Sequence, residues 1–137
     1  MKLIKYVNAY MALGVLAKAV LPAPTAYALY KLRREIAPKV DFFSAEEKKI
    51  AERFGARRAD GSLDIRNGRV TMKGDTDDER SASALSYARE RDALCALDDN
   101  EVLAVPLVVL PRELAVAPEV FEALDGFCVI EVNDDAK

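Results

Sequence analysis

An apolar series in the first half of the chain keeps one helical phase on both sides of a proline. Pro38 would ordinarily end a helix, and Ser44-Ala45-Glu46-Glu47 has the pattern of a capping box that begins a new one. The apolar residues nevertheless follow each other at spacings of seven, four, three, seven and four: Leu29, Ile36, Val40, Phe43, Ile50 and Phe54. A true break has no reason to preserve this phase. We therefore predict one long helix over residues 24–54, bent at Pro38 and closed by Gly55.

A strongly apolar segment precedes this helix. Residues 4–20 predict a first helix, and the proline-containing residues 21–25 separate it from the second. One of its faces is an i, i+3, i+4, i+7 series made of Val7, Tyr10, Met11, Gly14 and Ala17. Leucines occupy other faces, so the helix is apolar over most of its circumference and has to be covered on several sides. In a chain of 137 residues, another copy could supply part of that cover.

A β-hairpin is predicted in the middle of the chain. Residues 63–72 alternate between apolar and polar side chains around Asn67-Gly68, the preferred pair for a type I′ turn. We expect two cross-strand pairs, which place four apolar side chains on one face: Ile65 with Val70, and Leu63 with Met72. An isolated hairpin is only marginally stable in water, so this face has to dock on something.

The rest of the chain predicts a helix and a small sheet. Acidic residues open a third helix over residues 77–97, with a modest apolar stripe of Leu85, Ala88, Leu94 and Cys95. A strand over residues 101–110 is interrupted by Pro106, and a short helix (118–124), a closing strand (127–132) and a polar tail follow. The sequence thus predicts an α+β fold in a single domain, residues 1–137. Its parts are a helical hairpin (1–55), a β-hairpin (60–73), a helix (77–97) and a strand–helix–strand segment (101–132).

The residue types argue against an enzyme. The chain contains no histidine, which excludes Ser-His-Asp and Cys-His sites and histidine-dependent zinc fingers. It also lacks the glycine-rich phosphate loops and the nucleophile elbow. The acidic group at residues 75–79 could hold Mg²⁺ or Ca²⁺, but helix capping explains it fully. We therefore expect no catalytic residue, no metal and no cofactor.

Charge is unevenly distributed along the chain. The net charge is −3, which does not favour nucleic-acid binding. Residues 1–40 carry seven basic side chains against the single acidic Glu35, a balance of +6, so the remainder carries −9. The opposite charges could attract each other within one fold, or head-to-tail between copies.

Arginines and tyrosines are the candidate ligand-binding residues. Guanidinium groups suit phosphate oxygens, and paired aromatic rings suit a flat ligand: Arg33, Arg34, Arg57, Arg58, Tyr27 and Tyr30. In a continuous helix about 35 Å separates Arg34 from Arg57, because each residue rises about 1.5 Å. A small anionic ligand, such as a nucleotide, could therefore contact both arginine pairs only across several subunits.

The cysteines and the first residues bear on location. Cys95 and Cys128 have neither CxxC spacing nor the number typical of a secreted scaffold, so we expect reduced thiols in a cytoplasmic protein. The apolar run at residues 6–17 resembles a signal peptide, but Asn8 and Lys18 limit it to fewer than the ~20 residues that a bilayer span requires. We expect no membrane association, and the sequence leaves processing of the N-terminus open.

Several short segments resemble a known protein family. They are residues 7–13, Leu21-Pro22 with Ala26-Tyr27, Phe54-Gly55 followed by Asp60-Gly61, and residues 102–109, 118–124 and 129–131. Over nearly the whole chain this pattern is similar to that of small uncharacterised proteins of tailed phages and prophages. The resemblance implies a cytoplasmic, phage-encoded accessory or assembly protein that acts by contact, located in the host cell. It carries no site residues.

The sequence thus predicts a non-enzymatic interaction protein that forms homo-oligomers and also contacts an unidentified protein. The expected contact residues lie on the first two helices and on the hairpin: Val7, Tyr10, Met11, Val40, Phe43, Ile50, Leu63, Ile65, Val70 and Met72. A Val7→Asp or Phe43→Asp change should dissociate or unfold the protein. The alternative is a protein that sequesters a small ligand or nucleotide with arginines from several subunits.

Overall fold

The computed structural model describes residues 1–131. The elements in chain order are α1 (Leu3–Leu16), α2 (Ala23–Phe54), β1 (Ile65–Arg66), β2 (Arg69–Val70), α3 (Asp77–Cys95), β3 (Val108–Leu110), α4 (Pro118–Ala123) and β4 (Cys128–Ile130). The predicted α+β class is confirmed, with its helical hairpin, long second helix, β-hairpin, third helix and small C-terminal sheet. The chain divides into two compact units, which are residues 1–40 with 98–131 and residues 41–97. No helix in the described part of the chain has the length and apolar character needed to cross a bilayer.

The helix α2 continues through Pro38, so the prediction of one element rather than two is confirmed. Its buried side chains include four at heptad spacing: Leu29, Ile36, Phe43 and Ile50. A proline in a helix interior costs about 3 kcal/mol, whereas burying one large apolar side chain contributes about 1.5–3 kcal/mol. Four such residues outweigh the proline, whose ring lies exposed on the helix surface.

The helix α1 is shorter than predicted and buries a different face. It ends at Leu16, and residues 17–19 continue as turns, so the predicted end at residue 20 is wrong. Its buried residues are Leu3, Tyr6, Ala9, Ala12, Leu13 and Leu16, whereas Met11 of the predicted series is exposed. The leucine-bearing face carries more apolar area than a series containing Gly14 and Ala17, so its burial removes more hydrocarbon from water.

The C-terminal part of the first unit is a small parallel strand–helix–strand arrangement. β3 pairs with β4 in parallel, Val108 opposite Cys128, and α4 provides the connection that parallel strands require. The predicted strand over residues 101–110 is wrong in extent, because only Val108–Leu110 pairs. Before it, the Ala104 and Val105 N–H groups donate to the Glu35 carboxylate instead of to a strand. The last residue of the predicted closing strand and the polar tail, residues 132–137, lie outside the described residues.

In the second unit the hairpin forms around the predicted turn. Asn67 and Gly68 have φ of 53° and 76°, as a type I′ turn requires, and Ile65 pairs with Val70. The predicted pairing of Leu63 with Met72 is wrong. The segment that follows α2 lies between them, since Ala56 accepts from the Asp64 N–H and donates to the Thr71 carbonyl. Leu63 and Met72 instead form bridges with Arg57 and Gly55, respectively.

The helix α3 begins with side-chain hydrogen bonds around its N-cap, Thr76. Thr76 Oγ1 accepts from the Glu79 N–H at 3.2 Å, and Glu79 Oε2 accepts from the Asp75 N–H at 2.7 Å. The helix ends at Cys95, two residues before the predicted end. Of its predicted apolar stripe only Leu94 is buried, and Leu85 is exposed to solvent. Capping and ion pairs to α2, Arg53 with Glu90 and Glu47 with Arg91, contribute to holding this polar helix.

Candidate functional site

An apolar groove of about 1010 Å³ lies between α1 and α4 in the first unit. Ala12 of α1 and Val120 of α4 are buried and form its floor. Met11 and Val15 of α1 line it while remaining 68% and 49% exposed. Apolar side chains with this exposure, gathered in one groove, are typical of an interaction site rather than of an ordinary surface. We call this feature the α1/α4 groove.

The two sides of the α1/α4 groove carry opposite charges. Lys2 and Lys5 line the α1 side, and Glu119 and Glu122 line the α4 side. Within residues 1–131, none of these four side chains has an oppositely charged group within 4 Å. The groove therefore has a basic edge and an acidic edge, and neither forms an ion pair among residues 1–131.

Local sequence explains how α4 comes to form one wall. Pro118 occupies the first turn of this helix, where its missing N–H costs nothing. Gly126 follows the helix with φ +88°, a conformation that few other residues adopt, and turns the chain into β4. Glu119 and Glu122 are three residues apart, so they lie on one face of α4 and project to the same side of the groove.

The hairpin face forms a second apolar surface, within the second unit. Leu63, Ile65, Val70 and Met72 all line one cavity of about 930 Å³. Ala51 of α2 and Tyr87 of α3 line the same cavity, so this side of the hairpin faces α2 and α3. The face is only partly covered, because Ile65 remains exposed. We call this feature the hairpin face.

The other predicted contact residues lie deeper. Val7, Tyr10 and Val40 are half-buried, whereas Phe43 and Ile50 are buried in the core of the second unit. A charge at Phe43 would therefore have to be placed in the interior. We expect Phe43→Asp to unfold the protein rather than to dissociate an assembly.

The predicted arginines divide between the two units, and Arg57 and Arg58 belong to the second. Arg57 donates to the carbonyls of Gly61 and Glu52, at 3.0 Å and 3.4 Å. Arg58 donates to the Ile65 carbonyl at 3.0 Å and lies 3.7 Å from Asp64. Both guanidinium groups thus contact backbone carbonyls around the loop that precedes the hairpin.

Arg33, Arg34 and the two tyrosines lie on the first-unit part of α2. Tyr27 and Tyr30 are exposed, and their rings stack on each other with centroids 6.1 Å apart. Arg33 covers the ring of Tyr10 at 4.4 Å, while Arg34 is exposed. The tyrosine rings contact each other rather than enclosing a space for a flat ligand.

Lys39 is the centre of a polar cluster in the first unit. Lys39 donates to Asp99 and Glu101, and its ammonium lies 5.1 Å from the centre of the Tyr6 ring. Burial disfavours the charged form of Lys39, but its hydrogen bonds to Asp99 and Glu101 outweigh this and raise its pKa. Burial, followed by the charge of Asp99, raises the pKa of the Tyr6 hydroxyl. The cluster holds α2 against residues 99–101.

The charged edges of the α1/α4 groove were not among the predicted site residues. A signal for them exists in the sequence, because Lys2 with Lys5 and Glu119 with Glu122 are pairs of like charge three residues apart. Nothing in the sequence, however, places residues 2–5 beside residues 119–122. Comparisons of this chain with protein-family models, curated proteins and solved structures give no match.

Proposed function

We propose that this chain is a non-enzymatic interaction protein that forms a homodimer through the α1/α4 groove. The observation that carries the proposal is the pairing of an apolar groove with one basic and one acidic edge, all four charges being unpaired in the described part of the chain. A second copy offers both an apolar surface and the two matching charged edges.

Symmetry supports the choice of a second copy as the occupant. When two copies face each other across a twofold axis along the groove, α1 of each copy lies opposite α4 of the other. Lys2 and Lys5 of one copy then face Glu119 and Glu122 of its partner, and the same contacts occur twice. A groove with like charges on both edges would repel its own copy in this arrangement.

The groove also explains the composition of α1. Its leucine face is buried within the unit, and Met11 and Val15 on another face remain exposed. Covering these two side chains removes apolar area from water, which contributes about 25 cal/mol per Å². The pairing of charges at the rim sets the orientation more than the affinity.

The resemblance to phage and prophage proteins suggests the setting for this dimer. We place it in the cytoplasm of the host cell, as an accessory protein in assembly or in host interaction. The hairpin face would then contact the second, unidentified protein, because its four apolar side chains are only partly covered within the second unit.

Charge reversal tests the proposal. The variant Lys2→Glu/Lys5→Glu reverses the basic edge, and Glu119→Lys/Glu122→Lys reverses the acidic edge. We expect each variant to raise the dimer dissociation constant about tenfold or more, measured by sedimentation velocity, because like charges then face each other twice. The variant with all four changes should recover most of the affinity.

A matched control is Lys18→Glu/Lys31→Glu, which makes the same charge change as the basic-edge variant at two exposed residues that do not line the groove. It should leave the dimer unchanged. Circular dichroism confirms that each variant is folded. If both edge variants dimerise as tightly as the unchanged chain, the α1/α4 groove is not the interface.

A further inference from the structure

A separate, smaller cavity lies between α1 and α2 within the first unit. Its volume is about 200 Å³, and its lining is mainly leucine and alanine, with one tyrosine and one arginine: Leu13, Leu16, Leu21, Leu29, Tyr30 and Arg33. It shares no lining residue with the α1/α4 groove. An apolar cavity that contains a single cationic side chain favours a ligand with an apolar part and one negative charge.

Arg33 is held in place but is not satisfied. Its guanidinium lies over the Tyr10 ring at 4.4 Å, and its Nη2 lies beside Gly14. Arg33 Nε is buried and has no hydrogen-bond partner, the one such side-chain atom among residues 1–131. Nor does any carboxylate of the described residues lie within 4 Å of this guanidinium.

Buried donors in folded proteins nearly always have an acceptor. A guanidinium also presents its two Nη groups side by side, which matches the two oxygens of a carboxylate. Residues 1–40 carry a single acidic side chain, Glu35, and its two oxygens already accept from Ala104 and Val105. The acceptor that Arg33 requires is therefore not supplied by the neighbouring helix residues.

We propose that this cavity binds a small monocarboxylate with a short apolar tail. The carboxylate accepts from the two Nη groups of Arg33, and the tail lies among Leu13, Leu16 and Leu29. An aliphatic cavity of about 150 Å³ holds benzene, so a cavity of about 200 Å³ accommodates a tail of about five or six carbons. One positive charge balances a singly charged carboxylate better than a doubly charged phosphate.

This inference stands independently of the proposed dimer. It goes beyond that proposal by assigning a ligand site to one chain, and it differs from a nucleotide site built from arginines of several subunits. A failure of the dimer experiment leaves it untouched, because the groove and the cavity have no residue in common.

Isothermal titration calorimetry with three probes tests the ligand class on the unchanged chain. Hexanoate has both the charge and the tail, hexanol has the tail alone, and acetate has the charge alone. We expect hexanoate to bind with a dissociation constant at or below about 1 mM, as is reasonable for a ligand of this size. Hexanol and acetate should bind at least about tenfold more weakly, since each lacks one of the two interactions. If hexanoate does not bind, or binds no better than hexanol, the proposal is wrong.

Three variants test the location. Arg33→Met removes the guanidinium and keeps an unbranched side chain, and Ala26→Leu fills the cavity from an exposed position in its lining. Both should weaken hexanoate binding about tenfold or more. Arg34→Met is the matched control, because Arg34 is exposed and does not line the cavity. Loss of binding in Arg34→Met, or retention in both other variants, contradicts this site. If Arg33→Met does not fold, Ala26→Leu and the three probes still decide the matter.

Discussion

Lys39 Nζ lies 2.5 Å from Asp99 Oδ2, so an ion pair ties α2 to a residue sixty positions later in the chain. The second oxygen of Asp99 accepts from the Glu101 N–H at 2.8 Å. The hydrogen bond from Lys39, followed by that from the Glu101 N–H, lowers the pKa of the Asp99 carboxyl. Both groups are largely shielded from water, with side chains 9% and 22% exposed.

Asp99→Asn should make the protein less stable and less sensitive to acid. A carboxyl whose pKa is lowered by folding contributes stability above its unfolded pKa of about 4, and this contribution is lost as the pH falls through the folded pKa. At pH 7 we expect a loss of about 1 kcal/mol, because Lys39 keeps Glu101 as a partner. Urea unfolding between neutral pH and pH 3 measures this.

The control for this prediction is Asp98→Asn, which changes the exposed neighbouring carboxylate. If both variants lose stability in parallel with the unchanged chain as the pH falls, the Lys39–Asp99 pair does not contribute.

Replacing Pro38 should stabilise the helix α2. Pro38→Ala restores an N–H that can donate to the Arg34 carbonyl and removes the steric conflict of the ring. A part of the gain is lost because alanine makes the unfolded chain more flexible. We therefore expect the free energy of unfolding, measured with urea, to rise by about 1–2 kcal/mol. Ile36→Ala, two residues away, should instead cost about 2–5 kcal/mol because Ile36 is fully buried. A Pro38→Ala variant that is less stable than the parent would show that the proline is required for the fold.

Two glycines of the second unit should differ in what alanine costs. At Gly68 φ is +76° and a Cβ would meet nothing within 4 Å, so Gly68→Ala costs only backbone strain, about 1 kcal/mol. At Gly55 a Cβ would lie 2.5 Å from the Ala51 carbonyl oxygen and 2.8 Å from Leu63 Cδ2. Gly55→Ala should therefore cost more than Gly68→Ala in thermal unfolding. The reverse order would mean that residues 54–57 do not pack between the two hairpin strands.

Cys128 should react slowly with alkylating reagents. Burial raises the pKa of its thiol to about 11. At pH 8 the thiolate fraction is then small, and we expect alkylation by iodoacetamide roughly 100-fold slower than that of a free thiol. The Cys95→Ser variant leaves Cys128 as the single thiol, and mass spectrometry follows its modification in the folded and the urea-unfolded protein. Equal rates in the two states would contradict the burial of Cys128.

The features that could be predicted from the sequence are those that neighbouring residues determine. The heptad spacing of Leu29, Ile36, Phe43 and Ile50 indicated a helix through Pro38, because four buried side chains outweigh one missing hydrogen bond. Asn67-Gly68 determined the hairpin turn through the positive φ that both residues adopt. Both signals depend on residues that are close to each other in the sequence.

The features that could not be predicted depend on distant partners. Which face of α1 is buried depends on the elements packed against it, and α4 lies more than one hundred residues later in the chain. The predicted pairing of Leu63 with Met72 was wrong because residues after α2 lie between the strands. The alternation of residues 63–72 does not show this. The α1/α4 groove could not be predicted either, because its two edges are distant in the sequence and come together only in the folded chain.

The central claim, that this chain associates with its own copy through the α1/α4 groove, is tested most directly by sedimentation equilibrium of the unchanged 137-residue chain at physiological salt. The proposal predicts a concentration-dependent approach to twice the 15.1 kDa mass of one chain, with a weaker association at high salt as the rim charges are screened. A single 15.1 kDa species up to millimolar concentration would contradict it.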